Sequence, residues 1–271
     1  MSDEMTNADA PKGLIGRFLA LPTDSVPKTV FVAVTLCLVA SMVVSAFAVS
    51  LRPIQEVNKA KDKQINILQV AGVYEPGEDI GEAFSAFEPH VLDLATGQFA
   101  PDFDATAFDD RAAADDPDLS RELDDDPAGI GRQSNYVTIY LLRQEDGSID
   151  KVILPLHGYG LWSTLYGFIA LESNGNDIFG LQFYEHAETP GLGAEVDNPR
   201  WKALWSGKKV ANDDGIQITV SKSPPPAGVE YHVDALAGAT LTSNGVDNLV
   251  RFWLGKEGYA PFLENLQAGA I

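Results

Sequence analysis

The residues best placed for chemistry lie in one stretch, Asp234 to Leu254, reading DALAGATLTSNGVDNLVRFWL. Val229 to Val233 before it has the composition of a short strand. After it, Val246, Leu249, Val250 and Trp253 fall at i, i+3, i+4 and i+7, one apolar face of a helix. Ser243 or Thr242 is a natural N-cap, and Gly255 a natural C′ residue. Ala237, Gly238, Ala239 and Thr240 then form a bare, small-residue turn opening onto a helix N-terminus. Free backbone N–H groups and the helix dipole favour an anion there, a phosphate above all. A tight strand-to-helix turn that binds nothing carries the same local signature.

Two other stretches are rich in glycine beside aromatic or polar side chains. HGYGLWSTLYGFIALES begins at His157 and spaces Gly158, Gly160 and Gly167 among aromatics. AETPGLGAEVDNPRW begins at Ala187 and breaks regular structure with Pro and Gly. Other chemistries find no support. Cys37 is the only cysteine, so neither a disulfide framework nor a cysteine metal cage can form within this chain. The four histidines lack metal-ligand spacing, and His157, His186 and His232 are isolated in sequence from a plausible Ser or Cys nucleophile. No phosphate-binding loop, no strand-linked G-x-G-x-x-G and no G-x-S-x-G elbow is present.

The elements that must position these residues follow an acidic, two-part plan. Net charge is −20 with a pI near 4.4, which argues against nucleic acid or anionic lipid as a partner. Residues 1–28 read as a polar tail, with Leu14, Ile15, Phe18 and Leu19 able to form a short surface helix that Pro22 stops. Thr29 to Leu51 carries no charge and, as a helix, rises roughly 34 Å, enough to span a bilayer core. A transmembrane helix at 29–51 is therefore expected over a cleaved signal peptide, for which the apolar run is long and starts late, with a juxtamembrane helix at 52–72 whose apolar edge includes Val57, Ile65 and Leu68. Lys12, Arg17 and Lys28 precede the span, and Arg52, Lys59, Lys61 and Lys63 follow it. The local count leans slightly toward a cytoplasmic C-terminal side.

Between Glu75 and Asp126 there are 17 Asp or Glu against two Arg, so 73–135 reads as an acidic, peripheral part of the domain. From Tyr136 the pattern turns to strands: Tyr136 to Leu142, a turn at Glu145 to Ser148, Ile149 to Pro155, Ile178 to His186 and Ile216 to Ser221. Trp201 to Trp205 reads as a short helical piece. The expected fold is α+β: one N-terminal transmembrane helix, then a single extramembrane domain with a twisted, mostly antiparallel sheet and flanking helices, centred on 136–271.

DALAGATLTSNGV resembles the flavinylation motif D-x-x-[ST]-G-A-T of the FMN-binding domain family, whose last Thr carries FMN through a phosphoester. Gly158 to Ser163 and the ETPGLG of Glu188 to Gly193 resemble two further blocks of that family. VSAFAVSLRPIQEVNKAKDKQINILQVAGVY, starting at Val44, resembles the membrane anchor of the C subunit of Na+-translocating NADH:quinone reductases. Three blocks in the family's order, together with the anchor, make the resemblance specific.

The resemblance implies Thr240 as the covalent FMN acceptor, Thr242 as the fallback, Asp234 as the motif's acidic residue, and Gly238 and Ala239 in the turn. It also implies flavin contacts from Glu188, Thr189, Gly191, Leu192, Leu161 and Trp162, although Trp162 reads equally well as an ordinary core residue. Ala237 departs from the motif, standing where the family has Ser or Thr. No catalytic residue and no metal ligand is implied in this chain. The implied role is an electron relay from an iron–sulfur centre of the membrane-embedded D and E subunits to the FMN of the B subunit. A flavin transferase matures the chain, and its large domain faces the periplasm from the bacterial inner membrane. The G subunit of a ferredoxin:NAD+ oxidoreductase shares the motifs, and a cofactor-free membrane-anchored assembly module is the reading of another class.

Overall fold

The structure, a computed structural model, describes residues 13, 16, 18, 20–23 and 25–271. Most of the polar tail and of the surface helix expected around Leu14, Ile15 and Leu19 lies outside those residues. Two compact units divide the chain, 1–59 and 60–271.

Helix α1 runs unbroken over Val26–Val70. It alone, among the described residues, is long and apolar enough to cross a membrane, and its apolar stretch is exposed throughout. The expected division into a helix at 29–51 and another at 52–72 is corrected: Pro53 sits inside a single helix. Proline removes one backbone donor, and the strong helix formers that follow, Gln55, Glu56 and Lys59 to Lys61 among them, carry the helix on.

In the second unit the elements follow in order: α2 (Ile80–Phe84), β1 (Phe87–Asp93), β2 (Gln98–Phe99), α3 (Asp110–Asp115), β3 (Ser120–Glu122), β4 (Arg132–Ser134) and β5 (Tyr136–Arg143). Then come β6 (Ile149–Tyr159), β7 (Thr164–Glu172), β8 (Asp177–Glu185), α4 (Pro199–Lys202), β9 (Lys208–Lys209), β10 (Ala211–Asn212) and β11 (Gly215–Ile216). β12 (Thr219–Ser221), β13 (His232–Asp234), α5 (Thr240–Leu254) and α6 (Ala260–Gln267) complete the chain. Seven strands form one antiparallel sheet in the order β2-β1-β5-β6-β7-β8-β9. β12 and β13 make a small parallel pair beside it.

Both faces of the sheet are covered, which is why β5 and β7 are apolar almost throughout. On one face Ile139, Leu154, Leu156 and Ile169 pack with Val246, Leu249, Val250 and Trp253 of α5, the four positions of the predicted helical face. On the other, Ile153, Phe168 and Tyr140 pack with Ile67 and Leu68 from the end of α1.

Three local expectations are corrected. The acidic segment is not wholly peripheral, because β1 lies inside the sheet with Phe87, Val91 and Leu92 buried and Leu92 opposite Val137. Most of its Asp and Glu occupy the loops around that strand, with Glu88 and Asp93 on the strand itself. The strand expected at Ile216 to Ser221 is two strands, because the N–H groups of Gln217 and Ile218 both donate to the Val210 carbonyl at 3.0 Å. Val229 to Tyr231 forms a 3-10 turn after Gly228, so the strand before the motif is confined to β13.

Asp110, at the start of α3, accepts the Thr138 N–H at 3.1 Å. Burial raises its carboxyl to about 6, against the pull of Lys63 and of that N–H. A carboxyl raised above its unfolded value contributes stability that is present below that value and lost as pH rises through about 6. Asp110→Asn keeps an acceptor for Thr138. It is expected to raise Tm near pH 8 and leave it almost unchanged near pH 4, as read by thermal unfolding. A variant no more stable than wild type at the higher pH contradicts this.

Candidate functional site

The turn that joins β13 to α5 is held from inside. The Ala235 N–H donates to Ser221 at 3.0 Å and the Ala239 N–H to Leu236 at 3.2 Å. Gly238 takes φ +76°, a conformation that side chains other than glycine rarely adopt. The Ser243 hydroxyl accepts from the Leu236 N–H and donates to the Ala239 carbonyl, both at 2.9 Å. Neither Ser243 nor Thr242 is therefore the N-cap. Ala239 takes that position and brings no side-chain acceptor. The Ser243 hydroxyl is drawn backward into the turn, and the first N–H groups of α5 keep their capacity for a partner from outside the helix. No acidic side chain lies in that first turn. At the far end Gly255 is the C-cap itself, in extended rather than left-handed backbone.

Three hydroxyls in one helical turn thus have different environments. Thr240 is exposed and Ser243 closes the turn. Thr242 is 0% exposed, and its hydroxyl donates to Glu188 Oε2 at 2.7 Å.

Glu188, only 5% exposed, joins the three motif blocks. Its Oε1 accepts the N–H groups of Leu161 at 3.0 Å and Trp162 at 2.9 Å, while Oε2 takes the Thr242 hydroxyl. Glycines make the approach possible. A Cβ on Gly160 would lie 2.7 Å from Oε1, and one on Gly193 would lie 2.5 Å from Oε2 and 2.6 Å from Thr242 Oγ1. Gly245 lets α5 press onto the same hairpin, since its Cβ would meet the Tyr159 carbonyl at 2.5 Å. Burial by itself would raise the Glu188 carboxyl. Hydrogen bonding from Trp162, Thr242 and Leu161 outweighs it and holds the group below its ordinary value, ionised.

Around this joint the surface is apolar. Trp162 is 66% exposed, Leu241 58% and Leu192 45%, and Tyr159 is also open. Leu192 reaches the turn, its Cδ2 standing 3.4 Å from where a Gly238 Cβ would be. The core reading of Trp162 is thus overturned; Trp201, Trp205 and Trp253 fill the core instead. Thr189 and Gly191 are exposed, and the Thr189 carbonyl accepts the N–H groups of Leu192 and Ala194 at 3.1 Å.

Asp234 presents an exposed carboxylate, while its carbonyl accepts the Trp201 indole N–H at 2.8 Å. Three of the histidines hold structural contacts. His186 Nδ1 accepts the Glu188 N–H at 3.2 Å, and its Nε2 faces Asp197 at 2.9 Å. His232 Nε2 donates to the Ser221 carbonyl at 2.9 Å. His157 packs between the rings of Tyr166 and Trp253, where burial lowers it to about 4.

Residues 160–255, which run from the β6–β7 turn to the C-cap of α5, match the FMN-binding domain family. The C subunit of the Na+-translocating NADH-quinone reductase of Pseudomonas aeruginosa is 48% identical over 256 residues, covering 91% of this chain and 98% of that one. Its Vibrio anguillarum counterpart is 47% identical over 93% of this chain and 100% of its own. The crystal structure of Shewanella oneidensis NqrC superposes with a TM-score of 0.72 at 35% identity, covering 78% of this chain and 99% of that one. The chain belongs to the NqrC family. NqrC membership makes this chain one subunit of an oxidoreductase complex, with an FMN-binding domain and with the other subunits as partners. The single apolar N-terminal helix fits a single-pass anchor in such a membrane complex.

Of the site residues that the NqrC-type motifs predict, Leu161, Trp162, Glu188, Leu192, Gly238, Ala239, Thr240 and Thr242 come together at the α5 N-terminus, and Asp234 heads the turn. Sequence reasoning missed Ser243 as the turn's internal clasp and Gly193 and Gly245 as points of close approach. The signal available was small residues facing one another across three blocks, but their pairing needs the fold. Gly193→Ala is expected to cost about 1–3 kcal/mol through forced displacement of Glu188 and Thr242, measured by chemical unfolding. Unchanged stability would mean the joint is loose.

Proposed function

We propose that this chain carries FMN covalently through a phosphoester to Thr240 and serves as an electron relay within the complex. The observation that carries the reading is the contrast within one helical turn. The Thr240 hydroxyl is exposed at an N-terminus without a side-chain cap, while Thr242 and Ser243 are buried and already hydrogen-bonded. A phosphate on Thr240 would meet the open N–H groups and positive dipole end of α5. The remaining chain fits the rest of the cofactor: Leu192 and Trp162 offer exposed apolar faces to a flat ring, Thr189 offers a hydroxyl, and Gly191 and Gly238 permit close backbone approach. Thr242 supports the site from within, and Glu188 through it. Ala237 is exposed, so the hydroxyl the family has there is not needed to close the turn.

When bound, FMN would supply the redox chemistry, and the chain's part as a relay would be to hold it between an iron–sulfur centre of the D and E subunits and the FMN of the B subunit. A covalent tether suits a domain held on the periplasmic side of the inner membrane, where a dissociated cofactor would be lost by dilution. A flavin transferase would install it.

The test is denaturing gel electrophoresis of the chain co-expressed with a flavin transferase, followed by peptide mass spectrometry across residues 223–251. Wild type and Thr242→Val are expected to fluoresce and carry the adduct on Thr240, and Thr240→Val to be dark. A fluorescent Thr240→Val, or a wild type with no adduct, would overturn the reading.

A further inference from the structure

We propose that the negative charge of Glu188, and not only its hydrogen bonding, acts on the bound flavin as a fixed anion in the wall of the site that holds the midpoint potential low. The inference rests on the proposed attachment to Thr240.

Three observations carry it. The first is the set of partners. Everything aimed at the carboxylate is a donor: two backbone N–H groups on Oε1 and one hydroxyl on Oε2, at 2.7 to 3.0 Å. Such a cradle fits an anion, not a protonated acid that needs an acceptor of its own. The second is the absence of a counter-ion. Among the described residues no Lys, Arg or His side chain forms an ion pair with Glu188. The N–H and O–H dipoles stabilise the charge without cancelling it. At 5% exposure, water and salt screen it poorly. The third is position. The Thr242 hydroxyl that meets Oε2 belongs to the residue two places after Thr240, and the Trp162 N–H that meets Oε1 belongs to the exposed indole beside the turn. The charge is built into the same helical turn and hairpin that would hold the cofactor.

Hydrogen bonding alone does not call for a charge here. A glutamine could accept both N–H groups through its carbonyl oxygen and donate its amide to Thr242, whose hydroxyl can rotate to accept. It would join the same three blocks without the cost of burying an ionised group. The charge therefore has a consequence beyond structure. Reduction adds negative charge to a flavin, and an unpaired, poorly screened anion nearby opposes it, moving the midpoint to lower potential.

The experiment uses the full chain, co-expressed with a flavin transferase and titrated spectroelectrochemically, with gel fluorescence recorded on the same samples. Glu188→Gln is expected to keep in-gel fluorescence and to shift the midpoint to more positive potential. The difference from wild type should persist at high salt, because the charge is buried. Thr242→Val removes one hydrogen bond and leaves the carboxylate its two backbone N–H donors, and its midpoint is expected not to move positive. An unchanged or more negative midpoint in Glu188→Gln overturns the proposal. So does an equal positive shift in Thr242→Val, which would assign the effect to hydrogen bonding. Loss of attachment in Glu188→Gln overturns it too, by making the carboxylate part of the attachment step. A dark wild type instead defeats the reading of Thr240, and the gel separates that failure from the others.

Discussion

The buried carboxylate of Glu188 is the interaction on which the arrangement of the site depends. A glutamate almost sealed from solvent is stable as an anion only if its oxygens are met by donors, and here three arrive from two separate segments. Hydrogen bonds to a charged group contribute roughly 1.5–3 kcal/mol each, against about 0–1 for exposed ion pairs such as Arg52 with Glu56. Truncating the side chain, as in Glu188→Ala, would leave the Leu161 and Trp162 N–H groups and the Thr242 hydroxyl without their acceptor. The order of the hairpin turn, the Pro/Gly loop and the start of α5 is therefore one cooperative property.

The scaffold serves that joint. Packing of Val246, Leu249, Val250 and Trp253 against the sheet fixes the axis of α5, and the Trp253 indole N–H donates to the His157 carbonyl at 2.7 Å. Gly245 sets how closely the helix approaches the β6–β7 turn, and Gly158 does the same beneath Leu249. With the helix so placed, two of the three hydroxyls in its first turn face inward and one faces out. Thr242 stands roughly 200° around the helix from Thr240, so its hydroxyl faces inward where that of Thr240 faces out, and Ser243 is drawn back into the turn by its bond to the Ala239 carbonyl.

Much of this was legible in the chain. The apolar face of α5 has a 3.6-residue period, the membrane-length run carries no charge, and the sheet's middle strands are dense in Val, Ile, Leu and aromatics. What was not legible depended on long-range partners. β1 is hidden among acidic residues because only Phe87, Val91 and Leu92 mark it, and its pairing with β5 supplies the rest. Thr242 looked like a cap or a spare acceptor, because nothing nearby in sequence announces Glu188, 54 residues away. Trp162 looked at home in a core, yet a turn anchored through its own amide leaves the indole outside.

The central claim is that Glu188 is an ionised anchor within the folded site. Its most direct test is a carboxyl-carbon NMR titration of the full chain with labelled glutamate, Glu188 being assigned by its loss in Glu188→Gln. The account predicts a midpoint below the ordinary glutamate value of about 4.3. A midpoint at or above that value would mean that burial outweighs the three donors, and would contradict it.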